Sequence, residues 1–155
     1  MPQTAPDIAG DDDSLPLHQF LTYRLSRVQA KLNAQATRIL RDASGITLSQ
    51  WRIIALVGAA GQTRMSQLAQ EAALDKGLLS RNLKGLIESG VVIARPDESD
   101  HRAQVLSLSP KGIEIFERTL PVSRERQRNL RSELTEQELH VFRRVLDKLE
   151  IAAEK

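Results

Sequence analysis

Apolar residues return at helical spacing along most of this chain, and the polar residues between them mark where each helix starts and stops. Leu21, Leu25, Val28, Leu32 and Ile39 share one face of a helix beginning near Leu15, with Arg24, Arg27, Lys31 and Arg38 elsewhere. Gly45 supplies its C-terminal stop. Thr47-Leu48-Ser49-Gln50 has the form of a capping box, with Thr47 as the cap and Gln50 reaching back to it. It opens a second helix through Trp51, Ile54 and Leu56 that ends near Gly58–Gly61. Ser66 is placed to cap a short third helix over Gln67–Ala72. Asp75 is placed to cap a fourth, from Lys76 to about Ser89, which Gly90 closes.

The period then changes from helical to strand-like. Val91-Val92-Ile93-Ala94 and Val105–Leu108 flank a charged loop and predict an antiparallel pair. Pro110 suits the first turn of a fifth helix, and Pro121 is expected to kink or interrupt it. Thr135 and Glu138 form a second capping box, opening a last helix with Leu139, Phe142, Leu146 and Leu149 on one face. Two short helices, a tight break and a two-stranded hairpin make a helix-turn-helix followed by a β-wing, an arrangement that reads duplex DNA. The fold class is mainly α (α+β), a winged helix-turn-helix with N- and C-terminal helices outside it.

Four segments follow. Residues 1–14 are polar and helix-breaking, with Pro2, Pro6, Gly10 and Asp11-Asp12-Asp13, and read as a disordered acidic tail. Residues 15–45 form an N-terminal dimerisation helix, residues 46–109 the winged domain, and residues 110–155 the C-terminal dimerisation helices. The assembly reading comes from the amphipathic first and last helices, whose apolar stripes need covering. A two-fold partner that interlocks the arms does this and matches a palindromic site; packing of the arms on their own domain is the alternative.

On a helical wheel the fourth helix puts Leu79, Leu83 and Leu86 on one side and Gly77, Ser80, Arg81 and Lys84 on the other. Arg81 has the reach for bidentate contact with guanine, while Ser80 and Lys84 suit phosphates or base edges. In the wing, Arg102 is the candidate for a minor-groove or phosphate contact, and Asp100 is expected to pair with Arg95 or Arg102 and stiffen the hairpin. An exposed ion pair adds only ~0–1 kcal/mol, so stability alone is a poor reason for these charges. His101 reads as a phosphate neighbour or a solvent-facing residue. With Ser66 and Lys76 at the starts of the two helices, the candidate DNA-contacting set is Ser66, Lys76, Gly77, Ser80, Arg81, Lys84, Arg95, Asp100, His101 and Arg102.

Charge sharpens this reading. Asp7, Asp11, Asp12 and Asp13 lie in a tail without Lys or Arg; setting them aside raises the formal net charge from +2 to +6, a basic body suited to a polyanion. Aromatics are 3% of the chain, so Leu, Ile, Val and Ala build the core, which favours helix-on-helix packing. The absence of cysteine excludes disulfides and thiol redox sensing and suits a reducing cytoplasm. No basic and apolar leader and no run of ~20 apolar residues is present, so a cytoplasmic location is expected. No phosphate-cradling glycine loop, His-Glu-x-x-His or nucleophile elbow appears, and the three histidines are scattered. No enzyme activity, metal or cofactor is therefore expected.

Several of these pieces together resemble the MarR family of bacterial transcriptional regulators. They are Leu48-Ser49-Gln50-Trp51, Ser66-Gln67-Leu68-Ala69 and Ser80-Arg81 with Leu86 and Gly90 across the fourth helix. Asp100-x-Arg102 and Leu108-Ser109-Pro110-x-Gly112 complete the set. The resemblance covers about residues 15–150, and its most specific part is the wing motif with the following Leu-Ser-x-x-Gly. Ser109 stands where the family often has Thr.

The resemblance implies a homodimer that binds a pseudo-palindromic operator with recognition helices ~34–36 Å apart. It implies, too, a small effector, often an anionic or phenolic aromatic, that weakens DNA binding. Members that sense oxidants through thiols are no guide to a chain without cysteine. The family's effector cavity lies between the dimerisation helices and the winged domain, where His18, Tyr23, Arg24, Trp51 and Arg52 are the candidate ligand residues. An arginine beside an aromatic wall suits a carboxylate-bearing aromatic. Against this, Trp51 occupies a position that usually packs the core, His18 and Tyr23 suit a dimer seam, and both arginines suit a surface. Arg124, Arg126, Arg128 and Arg131 read as a solvated helix face, and His140 as exposed or at an interface. The expectation is a repressor rather than an activator, since repression needs only occupancy of a promoter. The alternative is a winged-helix protein-interaction module without sequence-specific DNA binding.

Overall fold

A computed structural model of the chain describes residues 14–155; the predicted acidic tail, up to residue 13, lies outside the described residues. The chain divides within its first helix into two compact units, one ending at Arg38 and the other spanning Ile39–Lys155.

In the first unit a 3-10 turn, Leu17–Gln19, precedes the start of α1 (Leu21–Ser44). The helix therefore begins later than the periodicity suggests, because Pro16 and the extended Phe20 interrupt the pattern that starts at Leu15. Leu17, Phe20, Leu21, Tyr23, Leu25 and Val28 are all exposed, Leu17 by 72% and Leu21 by 54%. At the far end of α1, Gly45 adopts φ +66°, the left-handed conformation expected of a helix-ending glycine.

The second unit is built around α2 (Leu48–Ala60). Thr47 Oγ1 accepts the Gln50 amide and Gln50 Oε1 accepts the Thr47 amide, at 3.1 and 2.9 Å, so the predicted capping box forms. Trp51, Ile53, Ile54 and Val57 are buried along the helix. Leu56 is half-buried, and Ile53 and Val57 carry more of the core than it does. A short β1 (Gln62–Arg64) follows, then α3 (Met65–Glu71) and α4 (Lys76–Glu88). β2 (Val92–Pro96) and β3 (Gln104–Leu108) form the wing, and the sheet order is β1-β3-β2, antiparallel throughout. Leu106, opposite Thr63 on one side and Ala94 on the other, is fully buried.

The third strand is absent from the sequence reading for a physical reason. Gln62, Thr63 and Arg64 are all polar, only Thr63 is buried, and three residues are too few for an alternating pattern. Their pairing partner lies 43 positions away at the centre of the register, where Thr63 stands opposite Leu106. The start of α3 also differs: the helix begins at Met65, and Ser66 sits inside its first turn rather than capping it. Arg64 is the cap residue and makes no side-chain capping bond.

α4 matches its expected cap, Asp75 Oδ1 accepting the Leu78 amide at 2.9 Å, and buries Leu79, Leu83 and Leu86. Gly90 follows at φ +73°. α5 (Pro110–Ser132) continues through Pro121 as one helix, so of the expected kink or interruption the interruption does not occur. Pro121 is exposed and removes a single amide donor, with long helical runs on both sides to maintain the ladder. α6 (Glu136–Ala153) opens on the predicted Thr135–Glu138 capping box. Leu139 is buried and Leu149 half-buried, whereas Val141, Phe142, Val145, Leu146 and Ile151 remain exposed.

Candidate nucleic-acid interface

α4 and the wing hairpin are presented from one frame. The buried leucines of α4 fix its rotation, which leaves Lys76, Gly77, Ser80, Arg81 and Lys84 exposed on the other side. Lys84 approaches Glu88 only loosely, at 3.9 Å between two exposed side chains. Ser80 and Lys84 border a groove of about 390 Å³ whose apolar floor is Met65, Leu83 and Ile87, with Gln104 of β3 at its edge. The C-terminus of α4 is tied down by Lys111, whose Nζ donates to the Ser89 carbonyl at 3.0 Å.

Ser109 joins the wing to α5. Its hydroxyl donates to the carbonyls of Gly90 and Val91 and accepts the Gly112 amide at 3.1 Å, and its own amide donates to Val91. Gly112 is buried where a Cβ would collide with the Val91 carbonyl, which explains a glycine three residues after the cap.

Within the wing loop two carboxylates organise the backbone. Asp97 Oδ1 accepts both the amide and the hydroxyl of Ser99, each at 3.0 Å, while the Asp97 amide donates to Ala103 across the loop. Asp100 Oδ1 accepts the Arg102 amide at 3.1 Å, and the Ala103 amide donates back to the Asp100 carbonyl. Asp100 thus stiffens the tip through main-chain bonds, and among the described residues it forms no ion pair with Arg95 or Arg102 as had been expected. The ion pair is made by Asp97, whose Oδ2 lies 2.7 Å from Arg64 Nη2. The Ser99 amide, then its hydroxyl, together with the Arg64 guanidinium, hold the Asp97 carboxyl below its ordinary pKa against the opposing effect of burial. Arg95, His101 and Arg102 are exposed.

Arg64, Asp97, Ser99 and Lys111, which make these bonds in the wing loop and at the end of α4, are missing from the sequence-derived set. Nothing in local pattern links Arg64 to Asp97; the pairing exists only because β1 adds to the far edge of β3.

The candidate ligand residues separate. His18 and Arg24 line a shallow depression of about 290 Å³ on the first unit, with Arg27, Val28 and Lys31. Tyr23 is exposed and is not part of its lining. Trp51 is buried and stacks on Phe116 of α5, ring centroids 6.1 Å apart, and Arg52 beside it is half-buried. Among the described residues no group of three His, Cys, Asp or Glu side chains is placed to hold a metal. No described helix is long and apolar enough to cross a membrane.

A three-stranded sheet edged by a helix-turn-helix defines the winged-helix class, and known proteins narrow it further. The MarR family profile matches residues 44–103, which span α2 through the wing. The HTH-type transcriptional regulator FarR of Neisseria gonorrhoeae is 30% identical over 100 residues, 64% of this chain and 68% of FarR. A MarR/EmrR family transcriptional regulator from Acinetobacter sp. ADP1 superposes with a TM-score of 0.81, at 24% identity, over 90% of this chain and 99% of that one. The M. tuberculosis transcriptional regulator MOSR, solved in complex with DNA, gives a TM-score of 0.72 at 26% identity, covering 88% and 97% of the two chains. The chain belongs to the MarR family of winged-helix transcriptional regulators.

Proposed function

We propose that this chain is a homodimeric repressor that binds a pseudo-palindromic operator and leaves it when a small anionic aromatic effector binds. The observation that carries the DNA reading is the sidedness of α4. Its leucines are buried, and Ser80, Arg81 and Lys84 stand exposed in the same compact unit as the Arg102-bearing wing. In this reading Arg81 meets guanine in the major groove, Ser66, Lys76, Gly77, Ser80 and Lys84 meet phosphates or base edges, and Arg102 enters the adjacent minor groove. Arg95 and His101 lie beside the phosphates, and Asp100 keeps the loop in shape. MOSR, a relative of the same fold, has been solved on DNA, which supports this docking.

The dimer is supported by exposed apolar side chains on both terminal helices, Leu21, Leu25 and Val28 on α1 and Phe142, Val145 and Leu146 on α6. Such stripes are costly to leave in water and suit a two-fold interface. For the effector, His18 and Arg24 beside Arg27 and Lys31 offer the positive charge a carboxylate needs. Trp51 and Arg52 belong to this ligand reading by family resemblance, and Tyr23 by its place on α1. A cytoplasmic location follows from the same function.

The test is binding of Arg81→Ala and Arg102→Ala variants, checked for intact oligomers by sedimentation. Each is expected to weaken operator binding by about tenfold or more. Unchanged operator affinity in both would remove these roles and favour a protein partner for the winged domain.

A further inference from the structure

Four of the helices α2–α6 start with a capping side chain: Thr47, Asp75, Ser109 and Thr135. The exception is α3, where Arg64 holds the cap position and satisfies none of the orphan amides. A Ser, Thr, Asp or Asn there would add ~1 kcal/mol to the helix. The Arg64 guanidinium is committed elsewhere, 2.7 Å from Asp97 Oδ2 and 3.4 Å from Ser99 Oγ. Asp97 in turn holds the base of the wing loop through Ser99 and Ala103. Its side chain is 11% exposed and that of Arg64 54%. A half-exposed ion pair contributes little stability, so the loss of a cap is not offset by the pair's energy alone.

We propose that Arg64 is a positioning residue that joins the helix-turn-helix to the wing, fixing where the loop from Asp97 to Ala103 carries Arg102 relative to α4. The inference rests on the DNA-binding reading above. Arg64 leaves β1 at the first residue of the α3 turn, so its main chain moves with the helix-turn-helix. Its side chain ends on the carboxylate that shapes the loop. With both anchors in place, the two DNA-contacting elements approach a duplex at a set spacing and the wing is ordered before binding, which lowers the entropic cost of its contact.

The experiment has two arms on the full chain. In the free protein, hydrogen exchange of the Asp97, Ser99 and Ala103 amides is measured for wild type, Arg64→Ala and Asp97→Asn. Exchange at the Ser99 and Ala103 amides is expected to rise in both variants while α2 amides stay protected; unchanged wing exchange in Arg64→Ala overturns the link whatever the chain binds. In the second arm, affinities for promoter and scrambled duplex are compared. Asp97→Asn removes a negative charge, so plain electrostatics predicts tighter binding to any DNA, whereas a positioning role predicts about tenfold weaker operator binding with scrambled binding little changed.

The double variant should be no worse than either single, whereas independent tenfold losses would multiply to about a hundredfold. Operator binding as tight or tighter in Asp97→Asn, with Arg64→Ala alone weakened, would make Arg64 a direct phosphate contact and sink the proposal. A wild-type chain with no preference for promoter over scrambled DNA would instead sink the DNA-binding reading, and the exchange arm would still decide the link.

Discussion

Trp51 and Phe116 stack with ring centroids 6.1 Å apart and planes inclined by 28°, joining α2 to α5. Gly58, two turns along α2, presents its bare Cα to the same Phe116 ring: a Cβ there would lie 2.6 Å from it. A ring on one helix and an absent side chain on the other let the two backbones approach. Replacing Trp51 by Ala is expected to cost about 3–5 kcal/mol through lost burial and a cavity. Gly58→Ala should cost about 1–3 kcal/mol through overpacking. Urea unfolding followed by circular dichroism reads both. A Trp51→Ala variant as stable as wild type would mean that the stack is not part of the core.

Much of this fold was legible because its determinants are local. Thr47 with Gln50, Asp75 with Leu78 and Thr135 with Glu138 are bonds between residues three apart, so the sequence displays both partners together. The burial of Leu79, Leu83 and Leu86, and with it the exposed face of α4, follows from helical period alone. What escaped depends on distant pairing. β1 has no pattern of its own, and Arg64 meets Asp97 only after β1 docks on β3. The choice of Asp97 rather than Asp100 as the ion-paired carboxylate is likewise a matter of tertiary placement. That α5 continues past Pro121 was not legible either, because a proline in sequence gives no sign of whether its surroundings tolerate one missing bond.

Ala73, in the turn between α3 and α4, has φ +51°, the one positive value among the described non-glycine residues. A left-handed alanine costs roughly 1–2 kcal/mol in local sterics, and glycine there gives back part of that as chain entropy. Ala73→Gly should therefore stabilise the protein by up to about 1 kcal/mol. Thermal unfolding checks the sign, and a lower midpoint would show that the turn is not strained.

Ser109 satisfies two carbonyls and one amide while almost fully buried. Ser109→Ala removes all three side-chain bonds, leaving the Val91 carbonyl with only the residue 109 amide, and should cost about 1–3 kcal/mol. Ser109→Thr keeps the hydroxyl and should recover the loss, because the geometry asks only for an oxygen on Cβ. Chemical denaturation of both variants is the measurement; equal loss in both would shift the explanation from hydrogen bonding to space.

Asp97 and Glu138 both have carboxyl pKa values lowered in the folded chain, Asp97 first by the Ser99 amide and Glu138 first by the Thr135 amide. A carboxylate whose folded pKa is depressed adds stability above its unfolded pKa and loses it as pH falls through the lower folded value. The wing and the start of α6 should thus stay ordered through the pH range where exposed carboxylates titrate, and loosen only below it. NMR titration of the Ser99 and Glu138 amides follows each site separately. Loosening at the ordinary carboxylate pKa would show that these bonds do not persist in solution.

Operator reading by α4 and the wing is tested most directly by a salt titration of the full chain binding its own upstream promoter DNA, with scrambled duplex as control. A preference of about 10³-fold or more for promoter over scrambled DNA is expected, with a steep fall in affinity with salt as phosphate contacts release counterions. Equal affinity for the two duplexes at every salt concentration would contradict operator reading.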